Sequence, residues 1–274
     1  KPFEKPIEVT HKYSISSTES EENNTYLSYN TVIETALDEK LYLAFDILDY
    51  ALVSAPGAPL KQALIDAGIG SEITGGYDSG TLKPTFYVIA KNTNPQEKEH
   101  FLAVIRETLE GLVKNGLNKK SLLAGINSSE FRYREADFGH FPKGLLYGIQ
   151  CLDSWLYDDM RPFLHLEALD TYRFLKEQVE TDYFEQLIQK YLLNNKHASV
   201  VIIEPEKGLN AKNEAALEKK LAEYKAGLSE DEIRKLIADT KHLKEYQETP
   251  SPKEDLGLRK YVGLPNHRVP PTTR

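Results

Sequence analysis

Apolar and polar positions alternate from the start of the chain: Ile7, Val9, His11, Tyr13 and Ile15 are set against Glu8, Thr10, Lys12 and Ser14. A period of two sends successive side chains to opposite faces, which predicts a half-buried strand. Residues 16–24 are polar and predict a hairpin turn, and residues 26–33, rich in Tyr, Thr, Val and Ile, predict a second strand. The period then lengthens. Leu41, Phe45, Leu48 and Leu52 recur at helical spacing behind Asp38, whose carboxylate suits an N-cap. Ser54-Ala55-Pro56-Gly57-Ala58-Pro59 ends that helix, and Pro59 can open the next, which stops near Gly68. Residues 85–90 predict a further strand. Asn94, Pro95 and Glu97 follow as cap, N1 proline and N3 acid of a helix. Its buried stripe is Leu102, Ile105, Leu109 and Leu112, and Gly116 lies at its C′ position.

Residues 119–195 read as successive helices punctuated by Pro142, Thr181 and Asn194-Asn195, with Phe184, Leu187, Ile188, Tyr191 and Leu192 on one apolar face. Residues 198–204 predict a final strand, and within it Ser199-Val200-Val201-Ile202-Ile203 is an almost continuous apolar run, the pattern of a strand covered on both faces. Strands first, helices in the middle and one closing strand predict an α+β fold, an antiparallel-rich sheet layered with helices. Past Gly208 the texture turns to Ala, Lys, Glu and Leu. Ser229-Glu230-Asp231-Glu232 is a capping-box start, and Leu217, Leu221, Leu236 and Leu243 predict facing stripes of an α-helical hairpin. The expected organisation is an α+β domain over residues 1–208, a helical hairpin linker over 209–248 and an extended tail over 249–274.

Composition narrows the function classes. The chain has 274 residues, 40% of them hydrophobic, enough for one large core or two modest ones. A mean hydropathy of −0.49 and the lack of any apolar run near the length of a membrane span predict a water-soluble chain without a membrane partner. The formal charge of −8, with no purely basic run longer than pairs such as Lys119-Lys120, argues against nucleic acid. One cysteine, Cys151, excludes an internal disulfide and a Cys-based zinc cage, and fits a reducing compartment. The expected location is the bacterial cytoplasm, with the mitochondrial matrix as the alternative.

No catalytic constellation emerges. A helix-borne zinc site needs two imidazoles on one face beside a glutamate, yet no two of the seven histidines lie within five residues of each other. Gln96-Glu97-Lys98-Glu99-His100 has the order of an inverted zinc motif, but with Gln in place of the first His. It reads as the acidic first turn of a surface helix. Asp78-Ser79-Gly80-Thr81 resembles an aspartic-protease signature, lacks a second copy, and reads as a turn. Gly68-Ile69-Gly70-Ser71 has neither the spacing nor the Lys of a phosphate loop, and Cys151 sits in an apolar helical context. The charged and aromatic stretch 130–137 reads either as an exposed helix face or as a carboxylate grip built on its arginines. Its Arg132, Arg134 and Glu135 are the candidate contact residues.

Longer motifs carry a resemblance. Residues 55–70, 127–139 with Pro142-Lys143-Gly144-Leu145, Ser154-Trp155-Leu156-Tyr157-Asp158, Tyr191-Leu192-Leu193-Asn194-Asn195 and Gln247-Glu248-Thr249-Pro250 resemble presequence-protease-type zinc metallopeptidases of the pitrilysin/insulinase superfamily. The resemblance is collinear over essentially the whole chain and matches the second, non-catalytic domain plus the interdomain helical linker. It implies a metalloendopeptidase that degrades unstructured peptides, with this chain forming part of the peptide-enclosing chamber and requiring the remaining domains of the same polypeptide. No catalytic residue, metal ligand or cofactor is expected in this chain; zinc belongs to the absent catalytic domain. Arg132, Arg134 and Glu135 are then expected as chamber or interdomain contacts. The alternative is a stand-alone peptide-binding or scaffold module without chemistry.

Overall fold

The computed structural model describes residues 2–136 and 138–251. Most of the expected tail, 252–274, lies outside the described residues. The chain divides into two units, Lys1–Leu209 and Asn210–Arg274.

The first unit is built on a five-stranded sheet: β1 (Ile7–Ile15), β2 (Thr25–Val32), β3 (Glu72–Asp78), β4 (Thr85–Thr93) and β5 (Ala198–Lys207), in the order β1-β5-β2-β4-β3. β1 and β5 pair in parallel, and the other three pairings are antiparallel. One face is dry. Leu27, Phe86, Val88, Ala90, Ala198, Val200 and Ile202 alternate inward and are buried against the helices. The apolar run of β5, expected to be covered twice, is covered once: Val201 and Ile203 point the other way and remain partly accessible. β3 escapes the periodicity argument because Gly75 and Gly76 replace the β-branched residues that mark strands. A Cβ on Gly75 would stand 2.7 Å from the Tyr87 carbonyl oxygen and 2.9 Å from Val53 Cγ1, so close packing of the backbone on β4 and the core requires glycine there.

The helical layer comprises α1 (Glu39–Asp49), α2 (Pro59–Asp66), α3 (Lys98–Asn115), α4 (Lys119–Glu135), α5 (Lys143–Trp155), α6 (Leu169–Gln178) and α7 (Tyr183–Leu187). Asp38 caps α1, accepting from the Lys40 and Leu41 amides. The apolar stripe continues past α1 into a π-helical turn, Tyr50–Ser54, and α7 runs into another at Ile188–Leu193. Asn94 does not cap α3 with its side chain. Its Oδ1 accepts from the Asn23 amide at 2.8 Å and its Nδ2 donates to Asn23 Oδ1 at 2.7 Å, tying the β1–β2 turn to the end of β4. A 3-10 turn at Pro95–Glu97 intervenes before α3, whose Phe101, Ile105 and Leu109 are buried and whose Leu102 and Leu112 pack at the margin.

The second unit contains most of α8 (Leu209–Ala226) and all of α9 (Glu230–Glu248). Ser229 and Glu232 form the expected reciprocal capping box. The facing stripes do not close. Leu217, Leu221, Leu236 and Leu243 all remain about half exposed, and only Leu221 and Leu236 face the groove between the helices. The connection is three residues, 227–229, and the space beyond it stays open, so these side chains do not interdigitate.

Candidate functional site

The sheet face turned away from the helices is a surface assembled from distant parts of the sequence. The register aligns Ile7, Ser199, Asn30, Tyr87 and Gly76 in one row across all five strands, and Val9, Val201, Ser28, Ile89 and Thr74 in the next. His11, Ile203 and Tyr26 continue the pattern at the β1 end. None of these side chains belongs to the buried core. The alternation of β1 thus points Ile7, Val9, His11 and Tyr13 to this open face, while Ile15 at the strand's end is buried and Glu8, Thr10 and Lys12 share the other side of an edge strand. Polar groups on the face hold one another: Ser28 Oγ donates to Asn30 Oδ1 at 2.9 Å, and Asn30 Nδ2 reaches the Ser199 carbonyl at 3.4 Å. Tyr13 packs edge-on against Tyr26 and donates to the Asn24 carbonyl. Apolar pads separated by hydroxyl and amide groups, with no charged residue in the two full rows, suit an extended polypeptide of mixed sequence.

Arg132, Arg134 and Glu135 lie on the helical layer, not on that face. Arg134 Nε donates to Glu130 Oε1 at 2.8 Å, and Lys176 Nζ donates to Glu130 Oε2 at 2.5 Å. The Glu130 side chain is only 12% exposed, and the lysine and arginine hydrogen bonds hold its carboxyl below the usual range. Arg134 borders a hollow with Tyr133, Tyr147 and Leu166, whereas Glu135 borders another with Phe131, Phe138 and Phe141. Arg132 is exposed and joins neither; burial pushes the Asp46 carboxyl above its usual range, offset in part by the Ser129 hydroxyl that donates to its Oδ2 and by the Arg132 charge. The three candidates therefore do not converge on one ligand position. Beside them α5 turns Leu145, Ile149 and Leu152 outward, and its C-cap Leu156 continues this apolar stripe at helical spacing.

Other candidate groups resolve into structural roles. His100 Nδ1 stands 3.3 Å from Glu97 Oε2 on the exposed first turns after β4, while Glu99 pairs with Lys98. Asp78 Oδ1 accepts from the Gly80 amide, making the turn. Cys151 is buried. A polar cluster that no motif announces sits where α5 meets α1: Tyr42 donates to Asp153 at 2.7 Å, accepts from Ser79 and stacks on His165 at 3.8 Å. Burial pushes the His165 imidazole down to about 4 and holds it neutral, and its Nε2 has no partner among the described residues. Zinc does not fit this donor set. Among the described residues no three His, Cys, Asp or Glu side chains gather to hold a metal ion, and the only zinc-like segment offers one imidazole.

Comparisons with known proteins agree with this architecture. Residues 1–128 match the family described as Peptidase M16 inactive domain, and residues 203–258 match that described as Peptidase M16-C associated. Over 256 residues the chain is 43% identical to Protein HypA of Clostridium perfringens (strain 13 / Type A), covering 93% of this chain and 26% of that protein. It is 29% identical over 262 residues to Presequence protease 1, chloroplastic/mitochondrial, of Arabidopsis thaliana, covering 93% of this chain and 24% of that protein. The chain thus spans about a quarter of the length of these curated relatives. The inactive peptidase domain of a protein described as a zinc protease from Bordetella parapertussis has the same fold, with a TM-score of 0.52 at 13% identity over 70% of this chain and 95% of that one.

Proposed function

This chain belongs to the peptidase M16 family as an inactive domain with its associated C-type segment, related to the presequence proteases, and from that premise we propose that it forms one wall of a peptide-enclosing chamber. The observation that carries the reading is the open sheet face, two five-residue rows without a charge, left uncovered by the helices of its own unit. Unstructured peptides are the substrates such a face suits, since an extended chain alternates its side chains to match a pleated surface. Zinc and the reacting groups belong to a catalytic domain elsewhere in a longer polypeptide, and this wall acts by retaining and aligning substrate. Arg132, Arg134, Glu135 and the α5 stripe serve contacts to the remaining domains, and residues 209–248 serve as the linker. A reducing compartment, bacterial cytoplasm or mitochondrial matrix, suits the lone cysteine.

The test uses the full-length protein. Val201→Thr with Ile203→Thr keeps β-branched side chains but makes the face polar. Zinc content and melting temperature are expected to stay at wild-type values while kcat/KM for an unstructured peptide falls about tenfold, mainly through KM. Arg132→Ala and Arg134→Ala leave zinc content intact, and Glu99→Gln with His100→Ala changes neither zinc nor turnover. Wild-type turnover in the open-face variant overturns the wall. Loss of zinc in the Glu99/His100 variant would place the chemistry inside this chain after all.

A further inference from the structure

Between α8 and α9 lies an apolar groove of about 630 Å³. Leu221, Tyr224, Leu228, Ile233, Leu236 and Ile237 line it, and they stay close to solvent: Tyr224 is 61% exposed and Ile237 66%. Single apolar side chains on a surface are ordinary. Five that converge from two helices, with Leu228 from the connection between them, form the contiguous kind of patch that marks an interaction site. Lys225, Lys241 and Lys244 complete the edges together with Thr240, and among the described residues no carboxylate shares the lining. Lys241 is loosely paired with Glu245 at 3.8 Å, whereas Lys225 and Lys244 have no ion pair among the described residues.

Shape and charge together define the occupant. Among the described residues, two helices joined by a short turn with an open trough between them have no third helix to bury their stripes at ordinary interaxial distance, about 8–10 Å. An amphipathic helix in such a trough presents apolar anchors at i, i+3 or i+4, and i+7. A second copy of the hairpin would bring the same lysines face to face across a desolvating contact, where like charges repel. A helix flanked by Asp or Glu meets them favourably, with carboxylates over Lys225 and Lys244. We propose that the α8–α9 groove docks an amphipathic helix whose apolar stripe is bordered by carboxylates, supplied in cis by the longer polypeptide. Relatives about four times as long as the aligned segment have the chain to supply it. The inference does not depend on the open sheet face binding peptide, because the groove lies wholly within the second unit.

Thiol labelling tests it, with Cys151 buried and so a slow background. Ile237→Cys, and separately Leu236→Cys, is introduced into both the 274-residue chain and the full-length protein, and the rate of maleimide addition is compared. Labelling in the full-length protein is expected to be at least about tenfold slower, independent of protein concentration. Adding Lys225→Glu and Lys244→Glu should bring that rate close to the rate in the shorter chain, with Lys225→Gln and Lys244→Gln intermediate. Equal rates in the two proteins overturn the docking. Protection that survives the charge reversal overturns the acidic partner. Protection that rises with concentration alongside a dimer in sedimentation overturns the in-cis source.

Discussion

Asp49 and Glu130 show how the same functional group takes opposite roles in one helical layer. Burial pushes the Asp49 carboxyl up to about 6, partly offset by the Ser54 hydroxyl that donates to it. A carboxyl whose folded pKa lies above its unfolded value favours the folded state when protonated. Its contribution is complete below about pH 4 and is lost as pH rises through about 6. Asp49→Asn keeps an acceptor for Ser54 and removes the charge. It should raise stability at pH 7 by on the order of 1 kcal/mol and flatten the stability profile between pH 4 and 6. Urea denaturation at several pH values reads this directly, and an unchanged profile would show that Asp49 is solvated. Glu130 runs the other way. Its depressed pKa supplies stability above about pH 4.5 that is lost as pH falls further. Glu130→Gln leaves Lys176 and Arg134 without their carboxylate and should cost roughly 1.5–3 kcal/mol at pH 7.

At the scale of elements, β3 and α5 depend on the two ways a segment can be held. β3 is an edge strand whose register rests on the absence of a side chain. Gly75→Ala must move the Tyr87 backbone or Val53 and should cost roughly 1–3 kcal/mol. At Gly76 the nearest atom is the Tyr87 hydroxyl at 2.8 Å, the end of a side chain that can turn aside, so Gly76→Ala should cost distinctly less. Equal losses of the two variants in chemical denaturation would contradict this account of the strand. α5 instead is fastened by polar contacts: Asp153 accepts from Tyr42, Gln150 donates to the His165 carbonyl, and Ser154 donates to the Arg161 carbonyl. Its apolar stripe contributes nothing to that fastening, because it faces outward.

For the molecule as a whole, the separation into two units has a direct thermodynamic meaning. The large buried cluster lies entirely in the first unit, from Leu27 to Ile202, and α8 and α9 contain no buried residue. A chain ending at Leu209 should therefore keep its melting temperature within about 4 °C of that of the 274-residue chain, a shift of at most about 1 kcal/mol. A drop much larger than that in calorimetry would make the hairpin part of the main core. The same division explains why Leu221→Ala or Leu236→Ala should leave that transition untouched, far from the roughly 2–5 kcal/mol a packed leucine costs.

Local patterns determined most of the elements. The caps at Asp38 and Ser229, the proline start at Pro59 and the strands around Tyr29, Val88 and Val201 are all set by neighbours within a turn or a pleat, so they are legible in order along the chain. The collinear motifs also identified the family, since long matches need no geometry. Tertiary structure decided what periodicity cannot contain. An alternating pattern in β1 says that one face is apolar but not whether that face meets helices or solvent; only the pairing with β5 turned it to the open side. Asn94 suited a cap by its neighbours, yet Asn23, distant in sequence, took its side chain instead. β3 hid because its glycines answer to Tyr87 and Val53, which its own sequence does not show. The helical stripes of α5, α8 and α9 look like core in sequence and are surface here, because burial is a property of what a face meets in space and not of the face itself.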